Sequence, residues 1–184
     1  EVAAVGHDAA RRPAGDDAGF AAYSTWKPSA PTFPNACHAC ELEIDPNTGS
    51  TVVQRYVIVE DCGTIMNPRL LGGQLQGGVV QGFGQIMMEN VVYDAAGQQL
   101  SGSFMDYCMP RADDVPFCEI DYNPVPTKIN PLGIKGAGEA GTVGSMPAVM
   151  AALLDALAPS GVTQIAMPAS PHRLWAAIAK AHSK

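Results

Sequence analysis

The sequence predicts an α+β fold, mixed or antiparallel β-hairpins packed with a few helices. An apolar/polar alternating segment and one rich in β-branched residues flank the turn-forming run Asp45-Pro46-Asn47-Thr48-Gly49. The apolar spacing then changes to three-to-four over residues 71–93. Two later helices have starts marked by Ser and Pro, with no regular strand–helix–strand repeat between them. Hairpins alternating with separated helices argue for α+β and against a doubly wound parallel sheet.

Residues 1–32 read as a weakly structured linker or the end of a preceding domain, interrupted by Arg11-Arg12-Pro13 and Pro28. Residues 33–184 read as one domain. Within it, 40–44 alternates, 45–49 turns, and 51–60 is rich in β-branched residues, as a strand should be. Residues 61–68 read as a loop. The segment 71–93 reads as a helix with Leu75, Val79, Phe83, Ile86 and Met87 on one face. Gly77, Gly78, Gly82 and Gly84 sit among them. Each costs about 1 kcal/mol against Ala inside a helix, so their density implies that a cofactor or a partner surface approaches the backbone. A turn over 94–97 and strands over 100–109 and 117–122 follow. Residues 123–132 are irregular and 133–145 glycine-rich. Ser145 reads as a helix N-cap with Pro147 in the first turn, the helix running to about residue 157. A short strand over 163–167 precedes a last helix capped by Ser170, with Pro171 in its first position.

The chain has 184 residues, 47% hydrophobic and 16% charged, enough for a sizeable core. Its net charge is -7 and its 11 Lys and Arg are scattered, so nucleic acid is not an expected partner. No apolar run reaches the ~18 residues of a membrane span, and no span is expected. Five cysteines, an odd number in a chain of this size, suit a reducing cytoplasm better than a disulfide scaffold.

The most informative run is Gly133-Ile134-Lys135-Gly136-Ala137-Gly138-Glu139-Ala140-Gly141. Glycines permit close backbone approach to a ligand, and a carboxylate among them is free to face a cavity. A solvated loop with an ordinary surface Glu fits the composition equally. Gly136, Gly138 and Gly141 also match GxGxxG. A dinucleotide fingerprint, however, follows an apolar strand and opens a helix directly. Here the preceding segment is broken by prolines and the expected helix cap comes only at Ser145. Gln74, Gln81 and Gln85 place amides on the glycine-rich helix, suiting a ligand with amide-like edges, though each alone reads more readily as satisfying nearby backbone groups or facing water. Cys37-His38-Ala39-Cys40 is a lone CxxC without the further ligands of a zinc site and reads as two thiols; no metal-ligating residue is expected.

Taken in order, Gly73-Gln74-x-x-Gly77-Gly78-x-x-Gln81-Gly82-x-Gly84-Gln85, Phe104-x-Asp106-Tyr107-x-x-Pro110 and Gly133-x-Lys135-Gly136-x-Gly138-Glu139-x-Gly141 resemble the C-terminal molybdopterin-binding segment of the large subunit in the xanthine oxidase, aldehyde oxidase and aerobic carbon monoxide dehydrogenase family. Phe33-Pro34-Asn35 and 165–169 fit as well, so the resemblance spans roughly residues 30–180. It implies an oxidoreductase that oxidises an aldehyde, an N-heterocycle or carbon monoxide with water as the oxygen source. It implies molybdenum on a molybdopterin, as the cytosine dinucleotide in most bacterial members, with 2Fe-2S clusters and FAD on other domains or subunits. Glu139 matches the family's general base. Gln74 matches a pterin-contacting glutamine, and Lys135, Gly136, Ala137 and Gly138 match backbone lying near the cofactor. The family's other cofactor motifs are not in this sequence. The chain is therefore expected to hold part of a site, to bind no cofactor alone, and to need the remainder of the molybdenum subunit plus iron–sulfur and FAD subunits. A non-catalytic structural or assembly module is the alternative.

Overall fold

The computed structural model describes residues 1–11 and 23–183; the part of the expected linker over 12–22 lies outside the described residues. The chain divides into two units, Glu1–Ala30 and Pro31–Lys184. The first contains a short helix α1, Val2–His7, with no buried residue.

The second unit is built on a three-stranded mixed sheet, β1 (Asn35–Ile44), β2 (Thr51–Asp61) and β3 (Glu119–Tyr122), in the order β1-β2-β3. β1 and β2 pair antiparallel from Asn35↔Asp61 to Ile44↔Thr51; β3 runs parallel to β2 from Val57↔Glu119 to Glu60↔Tyr122. The hairpin turn forms for the expected reason. The Asp45 carboxylate accepts from the Asn47 amide and the Thr48 hydroxyl, and Gly49 adopts φ +73°. A Cβ at Gly49 would also lie 1.9 Å from the Pro171 carbonyl oxygen. The register shifts between Glu41 and Leu42, leaving Gln54 as an extra residue on β2. That bulge keeps Val53 facing inward with Tyr56, Ile58 and Glu60, which a strict two-residue period would not allow.

Helix α2 spans Pro68–Met87, three residues earlier and six shorter at its end than the 71–93 expectation. Asn67 caps it, its side chain accepting from the Leu70 amide at 3.1 Å, and Pro68 takes the first position, where a missing N–H costs nothing. Helix α3 spans Ala140–Leu157 and corrects the expected cap at Ser145. Ser145 is buried inside the helix, its hydroxyl donating to the Thr142 carbonyl, and Pro147 lies two turns in. A 3₁₀ turn, Ala158–Ser160, follows, and helix α4 spans Pro171–His182 with Pro171 first, as expected. Ser170 makes no side-chain cap bond.

The expected strands over 100–109 and 163–167 are not strands. The first folds back on itself through Tyr107 N–H to Ser103 O (2.8 Å) and bonds from Ser103 to Asp106. The second is held without a strand partner: Ala169 N–H donates to Ile86 O, and Arg173 holds the Met167 and Pro168 carbonyls. β3 is shorter than expected and is held against α2 by Gln76, which donates to Pro116 O and accepts from Cys118 N–H.

The core lies between one sheet face and the helices: Tyr56 and Ile58 from β2, Leu75 and Val79 from α2, Val149, Leu153 and Leu157 from α3, Leu174 and Ile178 from α4. Among the described residues, one helical stretch, Ala140–Ser160, is long and apolar enough to cross a membrane, which the reading of apolar runs missed. Here its Val149, Leu153 and Leu157 face is buried against that core. α2 and α3 cross closely where their glycines and Ser145 meet. A Cβ at Gly82 would sit 1.9 Å from Ser145 Oγ, and one at Gly141 would sit 2.4 Å from the Leu75 carbonyl oxygen.

Candidate functional site

The glycine-rich run is anchored before it reaches Glu139. Gly133 turns at φ +69° and its carbonyl accepts from Thr64 N–H (2.9 Å); Lys135 N–H donates to Cys62 O (2.9 Å). Asn130 clasps Ile134 through both its amide groups. The Lys135 ammonium pairs with the Asp61 carboxylate, and both side chains are largely shielded from solvent. Burial pulls the Asp61 carboxyl upward. The bond from Lys135, the backbone donors Val125 and Gly63, and the Lys135 charge outweigh it and bring Asp61 to about 2.

Beyond Lys135 the loop is open. No heavy atom lies within 4 Å of a Cβ built at Gly138. Gln74 of α2 reaches it from the side, its Nε2 donating to Gly138 O at 2.6 Å. Within this run only Gly133 has a positive φ; neither Gly136 nor Gly138 does. Glu139 is exposed and stands at the N-cap of α3 with φ -113°, ψ 3°, near the sparsely populated bridge region. Gly136, Gly138 and Glu139 line an open cleft of about 550 Å³, together with Phe33, Pro34 and Glu60. Gln74, Lys135, Gly136, Ala137, Gly138 and Glu139 thus belong to one structural unit. Gln74 and Lys135 hold the loop, while Gly136, Gly138 and Glu139 face the cleft.

Three residues with a place in this geometry escaped the sequence reading: Asp61, Glu60 and His38. Glu60 is 1% exposed, and of its two oxygens only Oε1 has a partner, the Cys62 thiol at 3.3 Å. Burial pushes its carboxyl above the usual range, more than the Cys62 bond lowers it, and the Asp61 charge adds to the rise. Burial and the Glu60 bond push the Cys62 thiol up to about 12. A signal for Glu60 was present: it continues the inward phase of Tyr56 and Ile58, where a strand carries apolar residues. His38, inside the CxxC run, turns inward to Tyr56 (Nδ1 to hydroxyl, 3.0 Å), and burial lowers its pKa. Alternation places Cys37 and Cys40 on opposite faces of β1. Among the described residues, no group of three or more His, Cys, Asp or Glu is arranged to hold a metal ion.

The structure changes one ground for setting aside a dinucleotide fingerprint. α3 does open directly after Glu139, but no strand precedes the loop, only the bridge Gly63↔Ile134, and Gly141 packs on α2 rather than on a sheet.

An open glycine loop beside an amide-bearing helix makes this a domain whose backbone is left accessible to a ligand. Comparison with known proteins names that domain. The model of the molybdopterin cofactor-binding domain family matches residues 2–116. The chain is 40% identical to the nicotine 6-hydroxylase large subunit of Paenarthrobacter nicotinovorans over 93% of its own length and 21% of that protein. It is 38% identical to the carbon monoxide dehydrogenase large chain of Hydrogenophaga pseudoflava, over 89% of its length and 20% of the relative. The crystal structure of quinoline 2-oxidoreductase from Pseudomonas putida 86 superposes with a TM-score of 0.83 at 40% identity, covering 93% of this chain and 22% of that one. The chain belongs to the molybdopterin cofactor-binding domain family, within the molybdenum oxidoreductases related to xanthine oxidase. It spans about a fifth of the length of these relatives.

Proposed function

We propose that this domain presents Glu139 as the general base of a molybdenum hydroxylase and forms part of its molybdopterin cradle. The observation that carries this reading is the mounting of Glu139. Its loop is fixed on one side by Asp61–Lys135 and on the other by Gln74–Gly138, and the carboxylate stands over a cleft.

The surroundings fit a pterin. The backbone is unobstructed at Gly73, Gly77 and Gly138, and Gln74, Gln81 and Gln85 expose amides along the same side of α2. Amides match a heterocycle whose edges carry both donors and acceptors. Gln74 and the Lys135–Gly138 backbone would hold the group. When bound, it supplies the two-electron redox and oxygen-transfer chemistry. The protein's own contribution is a proton acceptor. The Glu139 carboxylate takes a proton at the reacting centre, and the short, doubly anchored loop limits how far that oxygen drifts, which matters because misplacement by 1 Å costs catalysis heavily. Aldehydes, N-heterocycles and carbon monoxide are the substrate classes this reading covers. Nicotine, quinoline and carbon monoxide stand in the names of the relatives. The cytosine dinucleotide form of the cofactor, the remainder of the molybdenum subunit, and iron–sulfur and FAD partners belong to the same proposal.

The test is Glu139→Gln in the complete enzyme. Gln keeps size and hydrogen bonding but cannot accept the proton. Molybdenum and pterin content should be unchanged while turnover falls at least ~10²-fold. Turnover near the parent rate with full cofactor content would instead favour a structural module.

A further inference from the structure

Among the described residues, two buried side-chain polar atoms lack a partner: Glu60 Oε2 and His38 Nε2. Unsatisfied buried polar groups are rare enough that each requires an explanation. These two are neighbours. β1 and β2 pair Ala36↔Glu60 and His38↔Ile58, so Glu60 and His38 are diagonal partners on the inward sheet face, within reach of long side chains. The same stretch of α3 covers both. Gly144 lies against the His38 ring, where a Cβ would be 2.3 Å from Nε2, and it lines the cleft beside Glu60 and Glu139.

Their chemistry is complementary when both are neutral, and an ion pair buried here would carry two desolvation penalties. Tyr56 contacts Nδ1, which leaves Nε2 facing inward. A protonated carboxyl has a donor at one oxygen; a neutral imidazole with Nδ1–H has an acceptor at Nε2. Among the described residues no Lys or Arg pairs with Glu60, and the nearby ammonium, Lys135, is engaged by Asp61. The other titratable groups around Glu60 are Cys62, which occupies Oε1, Tyr122 on β3, Tyr56 beyond His38, and Glu139 across the cleft.

We propose that Glu60 and His38 form a buried, charge-neutral hydrogen-bonded pair, Glu60 Oε2–H donating to His38 Nε2 through one water. This pair is the neutral floor beneath Glu139. Glu60 is thereby a positioning residue, holding a proton rather than a charge and leaving Glu139 the cleft's one carboxylate. Two carboxylates facing one site would oppose each other's ionisation. This role rests on Glu139 being the base; the pair itself does not.

The experiment is difference infrared spectroscopy of the complete enzyme near neutral pH, parent minus Glu60→Gln. It should show the carbonyl stretch of one protonated carboxylic acid, and His38→Phe should shift that band by removing the acceptor of the bridging water. The nitrogen-15 spectrum of the unaltered enzyme should show His38 as a neutral ring carrying its proton on Nδ1. An ionised Glu60, a band indifferent to His38→Phe, or an imidazolium at His38 would each overturn the pair. In the pH–rate profile, Glu60→Gln replaces one neutral group by another, so the acid limb should move by less than about half a pH unit. A downward move of about one unit or more, the size expected for removing a nearby like charge, would overturn the role of Glu60 as a neutral floor. Should Glu139→Gln retain turnover while the spectra find the neutral pair, the base assignment fails and the pair stands.

Discussion

The two sides of α2 carry the same residue types for opposite reasons. On the inner side, Gly78 and Gly82 meet Gly141 and Ser145 of α3, and any added Cβ collides. On the outer side, Gly73 and Gly77 have nothing within 4 Å and stand beside the exposed Gln74 and Gln81. One set serves the fold and the other leaves backbone open to a ligand. A glycine costs helix stability in either place, so its position relative to a neighbour, not its count, tells what it is for.

The largest effect should come from the closed side. Gly141→Ala drives a methyl group against the Leu75 carbonyl, and Gly82→Ala drives one against Ser145. Overpacking of this kind costs ~1–3 kcal/mol, more where backbone must move. Urea unfolding of the 184-residue chain should show both variants well below the parent. Parent-like midpoints would mean the helices can separate freely and the contrast between the two sides is unfounded.

The next effect concerns the anchor of the loop. Asp61, held down to about 2, contributes stability that is present above its ordinary unfolded range and is lost as pH falls through about 2. Lys135→Met removes the strongest restraint on that carboxyl. Its pKa should rise toward the usual carboxylate range, so acid unfolding of the variant should begin at a higher pH than in the parent. Coincident acid transitions would show that the ion pair does not hold the loop.

The smallest effect, with the opposite sign, belongs to the open side. Gly77→Ala meets no atom and should stabilise the chain by ~0.4–1 kcal/mol. In the complete enzyme the same methyl group should lower the molybdopterin content if the cofactor approaches this face. A stability loss at Gly77 matching that at Gly82 would erase the difference between the two sides.

Much of the candidate site was legible in the chain. Glu139 stands out because a carboxylate flanked by glycines lacks shielding neighbours, whereas Gln74 is singled out only by its place in the family-bearing order of motifs. Asp61 was not legible. It sits in a loop-like run, and its partner Lys135 is 74 residues away in sequence. His38 was hidden by its own context, because the CxxC around it drew attention to sulfur.

The sequence by itself determined the local elements whose causes are local: the Asp45–Gly49 turn with its side-chain bonds, the start of α4 at Pro171, and the family-bearing order of glycines. Tertiary structure decided what depends on a distant neighbour. The run at 100–109 reads as a strand but turns back on itself through the bonds at Ser103 instead of joining the sheet. Ser145 has the chemistry of a cap but lies inside α3, because the glycines at 141 and 144 let that helix begin at Ala140 and press against α2 and His38. Glu60 is an ordinary acidic residue in the sequence. Strand pairing with β1 and the cover of α3 make it a buried one, since burial is a property of the whole packing and no residue carries it alone.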